Sequence, residues 1–337
     1  MKVNRKELLN AVVMVKSGVS ENPVVEQSGD IVFSEGHIKS YNDEVSIMFP
    51  FETDIKGSVP AEEFIKYLNA LKDDELDLEV TANELLITSK KSKAGFIFNP
   101  DIVLSFNEIE FDNNWLELPD NFIDAIKFSC FSTGTDQSKP VLSNISIDGD
   151  KAYSTDGFRM TRYNLSSEIE DTFLINRSLV PDISKINPID YQINQNWVHL
   201  KNKKGVIFSF RVSSFKFPDC NDFLNKFDGE EIKLPLGFAE VLESVGVFSQ
   251  KATQNDKDIE IVYEKNKVII RAENLKGWAE TEKRVKYSGE AFTMIVKFDF
   301  IADVATHRCV VKHDGGKSML FVSEYYTHLM MLKFKKD

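Results

Sequence analysis

His313-Asp314-Gly315-Gly316-Lys317-Ser318 is the segment of this chain nearest to a phosphate-cradling loop, in which glycine N–H groups and a lysine hold a nucleotide's phosphates. That chemistry needs G-x-x-x-x-G-K-S, and the position of its first glycine, 311, is Val. The flanks read as strands, which makes the segment a hairpin turn. Asp303, His307 and Cys309 have the side-chain types of an orienting carboxylate, a base and a nucleophile. They fall at the end of a predicted helix, with no oxyanion feature and no nucleophile motif beside them. Cys130, Cys220 and Cys309 lie far apart and form no C-x-x-C pair, so zinc and redox chemistry have no footing and free thiols are expected. No catalytic residue, metal site or cofactor is predicted. Thr155-Asp156-Gly157, followed by Phe158-Arg159-Met160, reads from its residues alone as a turn between strands, with Leu142 and Met160 as core.

The excess of 53 acidic over 41 basic residues, net −12, has the wrong sign for gripping DNA by phosphate neutralisation. A chain of 337 residues suits two or three domains, and 42% hydrophobic residues leave ample material for their cores. Charges interrupt every apolar run before the 18 or so residues of a membrane span, and Met1 to Ser20 reads as an amphipathic helix without a signal-peptide core. A cytoplasmic protein with no membrane partner is expected.

The order of elements recurs about every 115 residues. Each copy opens on a helix with an apolar stripe, predicted over Asn4–Val15, Pro119–Phe131 and Pro235–Phe248. Three strand-like runs follow, in Asp30–Phe51, Asn144–Leu165 and Asp258–Val285. Their first turns hold Glu35-Gly36, Gly149-Asp150 or Lys265-Asn266, where Gly and Asn tolerate positive φ, and their second hold Asn42-Asp43, Asp156-Gly157 or Lys276-Gly277. A second helix starts near Pro60, Pro181 and Phe298. The first of these is predicted to run to Lys72, and Pro188 cuts the middle one to about two turns. Closing hairpins are legible in LDLEVTANELLITSK, WVHLKNKKGVIFSF and VVKHDGGKSMLFV. The prediction is an α+β chain of three domains, 1–117, 118–233 and 234–337, each with two helices packed on antiparallel sheet.

Several of these segments resemble the bacterial β sliding clamp of DNA polymerase III, and the likeness runs in order along the chain. KPVLSN (Lys139–Asn144) followed by AYSTDGFRMTRY is similar to the signature of that family's middle domain. SFKFPDCNDFL (Ser214–Leu224), SVPAEEFIKYLNAL and the last strand, HLMMLKF, resemble further family segments. We read the resemblance as one to a phage-encoded form. Departures are Phe158 where the family usually has His, Met160 for Leu, Cys220 for Tyr, and Leu332 near a common Pro. Lys335 to Asp337 continue past the family's usual end.

The resemblance implies a homodimer closing head to tail into a ring around double-stranded DNA, without sequence preference. It also implies an apolar cleft that takes peptides of the DNA polymerase and clamp loader. Carried over residue by residue, the cleft would comprise Leu142, Thr155, Gly157, Phe158, Arg159, Met160, Pro218 and Phe223, with Leu329, Met331 and Leu332 from the last strand and Val311 beside them. DNA-facing bases would be Arg5, Lys16, Lys66, Lys72, Lys127, Lys139, Lys185 and Lys251. The same helices carry Glu62, Glu63, Asp124, Glu240 and Glu243, so retention on DNA would be topological. Two rivals remain: a clamp-like scaffold that does not encircle DNA, and a nucleic-acid-processing enzyme with an unrecognised site.

Overall fold

The structure, a computed structural model, describes residues 1–106, 109–194, 196–249, 258–305 and 309–333. It divides into two compact units, Met1–Ile123 with Pro181–Ser214, and Asp124–Val180 with Phe215–Asp337. Among the described residues every strand pairing is antiparallel.

In the first unit the helix Arg5–Val15 starts where the Asn4 side chain accepts the N–H groups of Lys6 and Glu7, at 2.9 and 3.3 Å. Leu8, Ala11, Val12 and Val15 recur at helical spacing and are buried. Ser40 donates to the Val15 carbonyl at 2.6 Å, and the chain then leaves through Gly18, where a Cβ would fall 2.3 Å from the Ser40 hydroxyl. The second helix, Ala61–Ala70, buries Phe64, Ile65 and Leu68, with the Phe64 ring edge-on to Phe33 and Phe96. One sheet orders Lys2–Asn4, Glu75–Val80, Glu84–Thr88 and Lys93–Ile97. In an eight-stranded sheet, Val45–Pro50 pairs with Ile207–Arg211, so strands of the first and middle predicted copies lie side by side. Trp197 is fully buried there with Val32, Tyr41, Leu104 and Ile109.

The second unit holds a six-stranded sheet and a four-stranded one. In the smaller sheet, Ile259, Ile261 and Tyr263 alternate inward along Asp258–Glu264, and Val268, Ile270 and Ala272 along Lys267–Asn274. Asn266 turns the chain between them at φ 61°. The helix Phe238–Gly246 packs on the helix Phe298–Ala305, and a Cβ on Gly246 would lie 2.2 Å from the Phe298 ring. In the larger sheet, Asn144–Thr155 pairs with Arg159–Asn176, changing register around Gly149 (φ 58°), and Arg159–Asn176 pairs in turn with Tyr326–Met331.

Helix bounds are tighter than predicted. Asn4 is a cap outside its helix, the predicted Pro119–Phe131 helix is Phe122–Cys130, and Pro235–Phe248 narrows to Phe238–Gly246 because Gly237 precedes it in the left-handed region at φ 70°. The Pro60–Lys72 helix ends at Ala70, and the middle one, Val180–Ile186, stops two residues before Pro188. No described helix is long and apolar enough to cross a membrane.

Candidate functional site

The turn from Thr155 to Arg159 is held by its own side chains. The Thr155 hydroxyl accepts the Gly157 N–H at 3.1 Å and donates to the Arg159 carbonyl at 2.8 Å. Asp156 accepts the N–H groups of Phe158 and Arg159, both at 2.9 Å, and Gly157 supplies the positive φ of 89°. The Phe158 carbonyl then accepts the Met331 N–H at 2.8 Å, which ties the turn to the last strand. Cross-strand register sets Met160 opposite both Thr155 and Leu329.

This arrangement frames a cleft of about 360 Å3 with a mostly apolar lining. The structure gathers ten of the twelve expected residues around it: Leu142, Thr155, Gly157, Phe158, Arg159, Met160, Pro218, Phe223, Leu329 and Met331. Phe158 and Phe223 are 58% and 66% exposed, apolar rings left facing solvent. Asp219 also lines the cleft and was missed, although its signal sat in the same FPD segment that placed Pro218. Val311 and Leu332 are corrections. Val311 is buried mid-sheet opposite Ile232 and Phe321, and Leu332 is buried where its N–H donates to the Lys317 carbonyl, so neither reaches this cleft.

Arg159 contributes a fixed wall. Its guanidinium meets Asp156 at 3.0 Å and Asp303 at 3.4 Å and lies over the Phe300 ring at 4.3 Å. Burial raises the Asp303 carboxyl, with Arg159 acting against that rise. Beneath the cleft the Ser132 hydroxyl bonds those of Ser154 and Thr161 at 2.6 and 2.7 Å, and Thr161 bonds His328 Nδ1 at 2.9 Å.

The rejected chemistry has structural counterparts. In the HDGGKS segment, Asp314 accepts the N–H groups of Lys317 and Ser318, at 3.0 and 2.7 Å, the donors a phosphate would need. His307 lies outside the described residues. Burial pushes all three thiols up, Cys220 to about 12, away from thiolate chemistry.

The expected DNA-facing bases differ in what they do. Arg5 is a correction: it is 13% exposed in its side chain and its guanidinium donates to the carbonyls of Asp73 and Leu68 at 3.1 and 3.2 Å, beside Asp74. It ties the opening helix to the end of the second, so Arg5→Ala should cost about 2 kcal/mol of stability in chemical denaturation, since hydrogen bonds from charged donors are worth roughly 1.5–3 kcal/mol. Lys66 pairs with Glu62, and Lys185 with Asp182 at 3.4 Å. Lys16, Lys72, Lys127 and Lys139 are exposed and form no ion pair among the described residues. Lys251 lies outside the described residues.

The fold is that of the bacterial sliding clamps. No protein-family model matches the sequence, and no curated protein is similar to it in sequence. Among solved structures, the sliding clamp of Bartonella birtlesii bound to griselimycin matches with a TM-score of 0.85 at 15% identity, over 99% of each chain. The DNA polymerase III β chain of Streptococcus pneumoniae matches at 0.84 and 17%, again over 99% of each. The β clamp of Helicobacter pylori, solved with a DNA ligase peptide, matches at 0.83 and 16% over the same share of both chains. At these identities the likeness is one of fold.

Proposed function

We propose that this chain is a DNA sliding clamp, a non-catalytic processivity factor that encircles duplex DNA and tethers a replicative polymerase. The observation that carries the reading is the apolar cleft at Thr155–Met160, set in a chain that follows the sliding-clamp fold over 99% of its length. The cleft would take peptides of the polymerase and clamp loader. The Helicobacter pylori structure, with its ligase peptide, supports a peptide as occupant of such a protein. In this reading the domains are 1–117, 118–233 and 234–337, the origin is phage, and the site of action is the cytoplasm of a bacterial cell or infected host.

Two copies would close head to tail through open sheet edges. Lys93–Ile97 ends one sheet, with Ile97 78% exposed and lysines at 90, 91 and 93. Gly277–Arg284 ends another, with Trp278 60% exposed, Glu280, Glu282 and Arg284 facing out, and Leu275 and Val247 exposed nearby. Unpaired strand edges with exposed apolar residues suit strand addition between copies. The pair Ile97→Glu and Trp278→Glu should therefore weaken association at least about 100-fold, because buried aromatic anchors dominate interfaces. Light scattering would then report 38.4 kDa instead of twice that mass.

Such a ring needs weak contacts with DNA, which suits an acidic protein with a few free lysines. Adding the protein should lengthen the DNA its polymerase copies per binding event, and it should stay on circular DNA after loading while leaving short linear duplex. Unchanged processivity, or tight salt-sensitive binding to a short duplex, would contradict the reading. The mixed charge of the helices, as in the Glu62–Lys66 pair, favours one alternative, a scaffold that binds proteins through the cleft without encircling DNA. A monomer at micromolar concentration would support that alternative.

A further inference from the structure

A second groove, of about 530 Å3, opens beside the cleft and shares Phe223 and Leu329 with it. Apolar surface continues into it through Phe227, but its rim is acidic. Asp222, Asp228 and Asp314 line it, and Asp219 lines the adjoining cleft. Against these four carboxylates stand two lining cations, Arg159 of the cleft, already held by Asp156 and Asp303, and Lys226 of the groove, 2.8 Å from Asp222. Burial works to raise the Asp314 carboxyl, and hydrogen bonds from Ser318 and Lys317 outweigh it, so this group stays charged. Asp228 is exposed and has no ion pair among the described residues. An extended segment anchored in the apolar cleft passes directly into this field, because the two share a wall. A glutamate there would meet repulsion, whereas a lysine or arginine would find Asp228 and Asp314 with no ion pair among the described residues, and would compete with Lys226 for Asp222.

Resting on the reading of the cleft as a peptide-docking site, we propose that the segments it accepts carry a lysine or arginine flanking the apolar anchor, held over Asp222, Asp228 and Asp314. The pairs are solvent-exposed, so the preference is modest in size and sensitive to salt.

Three synthetic peptides with one Leu-Phe anchor, flanked on both sides by Lys, Gln or Glu, distinguish the outcomes in fluorescence anisotropy with the full chain. At about 0.05 M salt the Lys peptide should bind about tenfold tighter than the Gln peptide, and the Glu peptide weaker still. At about 0.5 M salt, where screening shortens to a few ångströms, the differences should shrink to within about twofold. Combined Asp222→Lys and Asp228→Lys should reverse the order, and the salt series tests the preference independently of how those variants fold. Equal affinities at low salt, with binding that Met160→Asp removes, would overturn the charge preference and leave the docking reading standing. Failure of all three peptides to bind would overturn both.

Discussion

Met160→Asp is expected to lower the affinity for an apolar-anchored polymerase peptide at least about 100-fold, which corresponds to roughly 2.8 kcal/mol. Met160 is half-buried, faces the cleft and sits directly across the strands from Leu329. Burying a Leu or Phe anchor against such a wall contributes about 1.5–3 kcal/mol. A carboxylate in its place loses that contact and must also be desolvated when the peptide arrives, at a further cost of more than 1 kcal/mol. Leu329→Asp removes the other half of the same cross-strand pair and should have a similar effect. Since both side chains open to the cleft and not to the buried face beneath it, mass in solution and far-UV circular dichroism should be preserved. Calorimetry that finds unchanged peptide affinity in either variant would remove the cleft from the proposed function.

Much of the local structure was legible because it is periodic. The inward alternation of Ile259, Ile261 and Tyr263, the turn at Asn266 and the helical spacing of Leu8, Ala11, Val12 and Val15 need no distant partner to specify them. The pairing of Val45–Pro50 with Ile207–Arg211 was not legible, since period fixes which face a strand buries and not which segment lies beside it. The same limit explains Arg5: the sequence offers a base on a helix, but not the carbonyls of Asp73 and Leu68 that claim it. Residues alone left Thr155–Met160 as a turn, and the resemblance singled it out. Leu329 and Met331 are two apart on one strand and share the cleft, so alternation already pointed their neighbour Leu332 elsewhere.

Acid should destabilise the folded chain before most of its carboxylates protonate, and buried histidines set the window: His199 and His328, with His313, which burial also lowers. His199 is fully buried, bonds Ser209 at 2.8 Å and meets the Phe111 ring edge-on, and burial lowers it to about 4. His328, beneath the cleft, is lowered to about 3 by burial and then by the nearby Arg159 charge. Its Nδ1 meets Thr161, while its Nε2 has no hydrogen-bonding partner among the described residues, so a second proton would have no acceptor. Well above pH 6.5 both imidazoles are neutral whether the chain is folded or not, and their contribution is constant. As pH falls below that value the unfolded chain takes up protons that the folded chain refuses, so stability is lost from about 6.5 down towards the folded values near 4 and 3. The slope approaches about 1.4 kcal/mol per pH unit for each histidine. Asp43, held low by hydrogen bonds from Arg211 and Tyr41, adds its own loss only nearer its protonation, which separates it from the histidine window. Chemical denaturation at pH 7.5, 6 and 5 should show a falling midpoint, with His328→Gln cutting the slope between pH 6 and 5 by about a third to a half. A midpoint that does not move between pH 7.5 and 5 would mean that these imidazoles are not neutral, water-excluded groups in the folded chain.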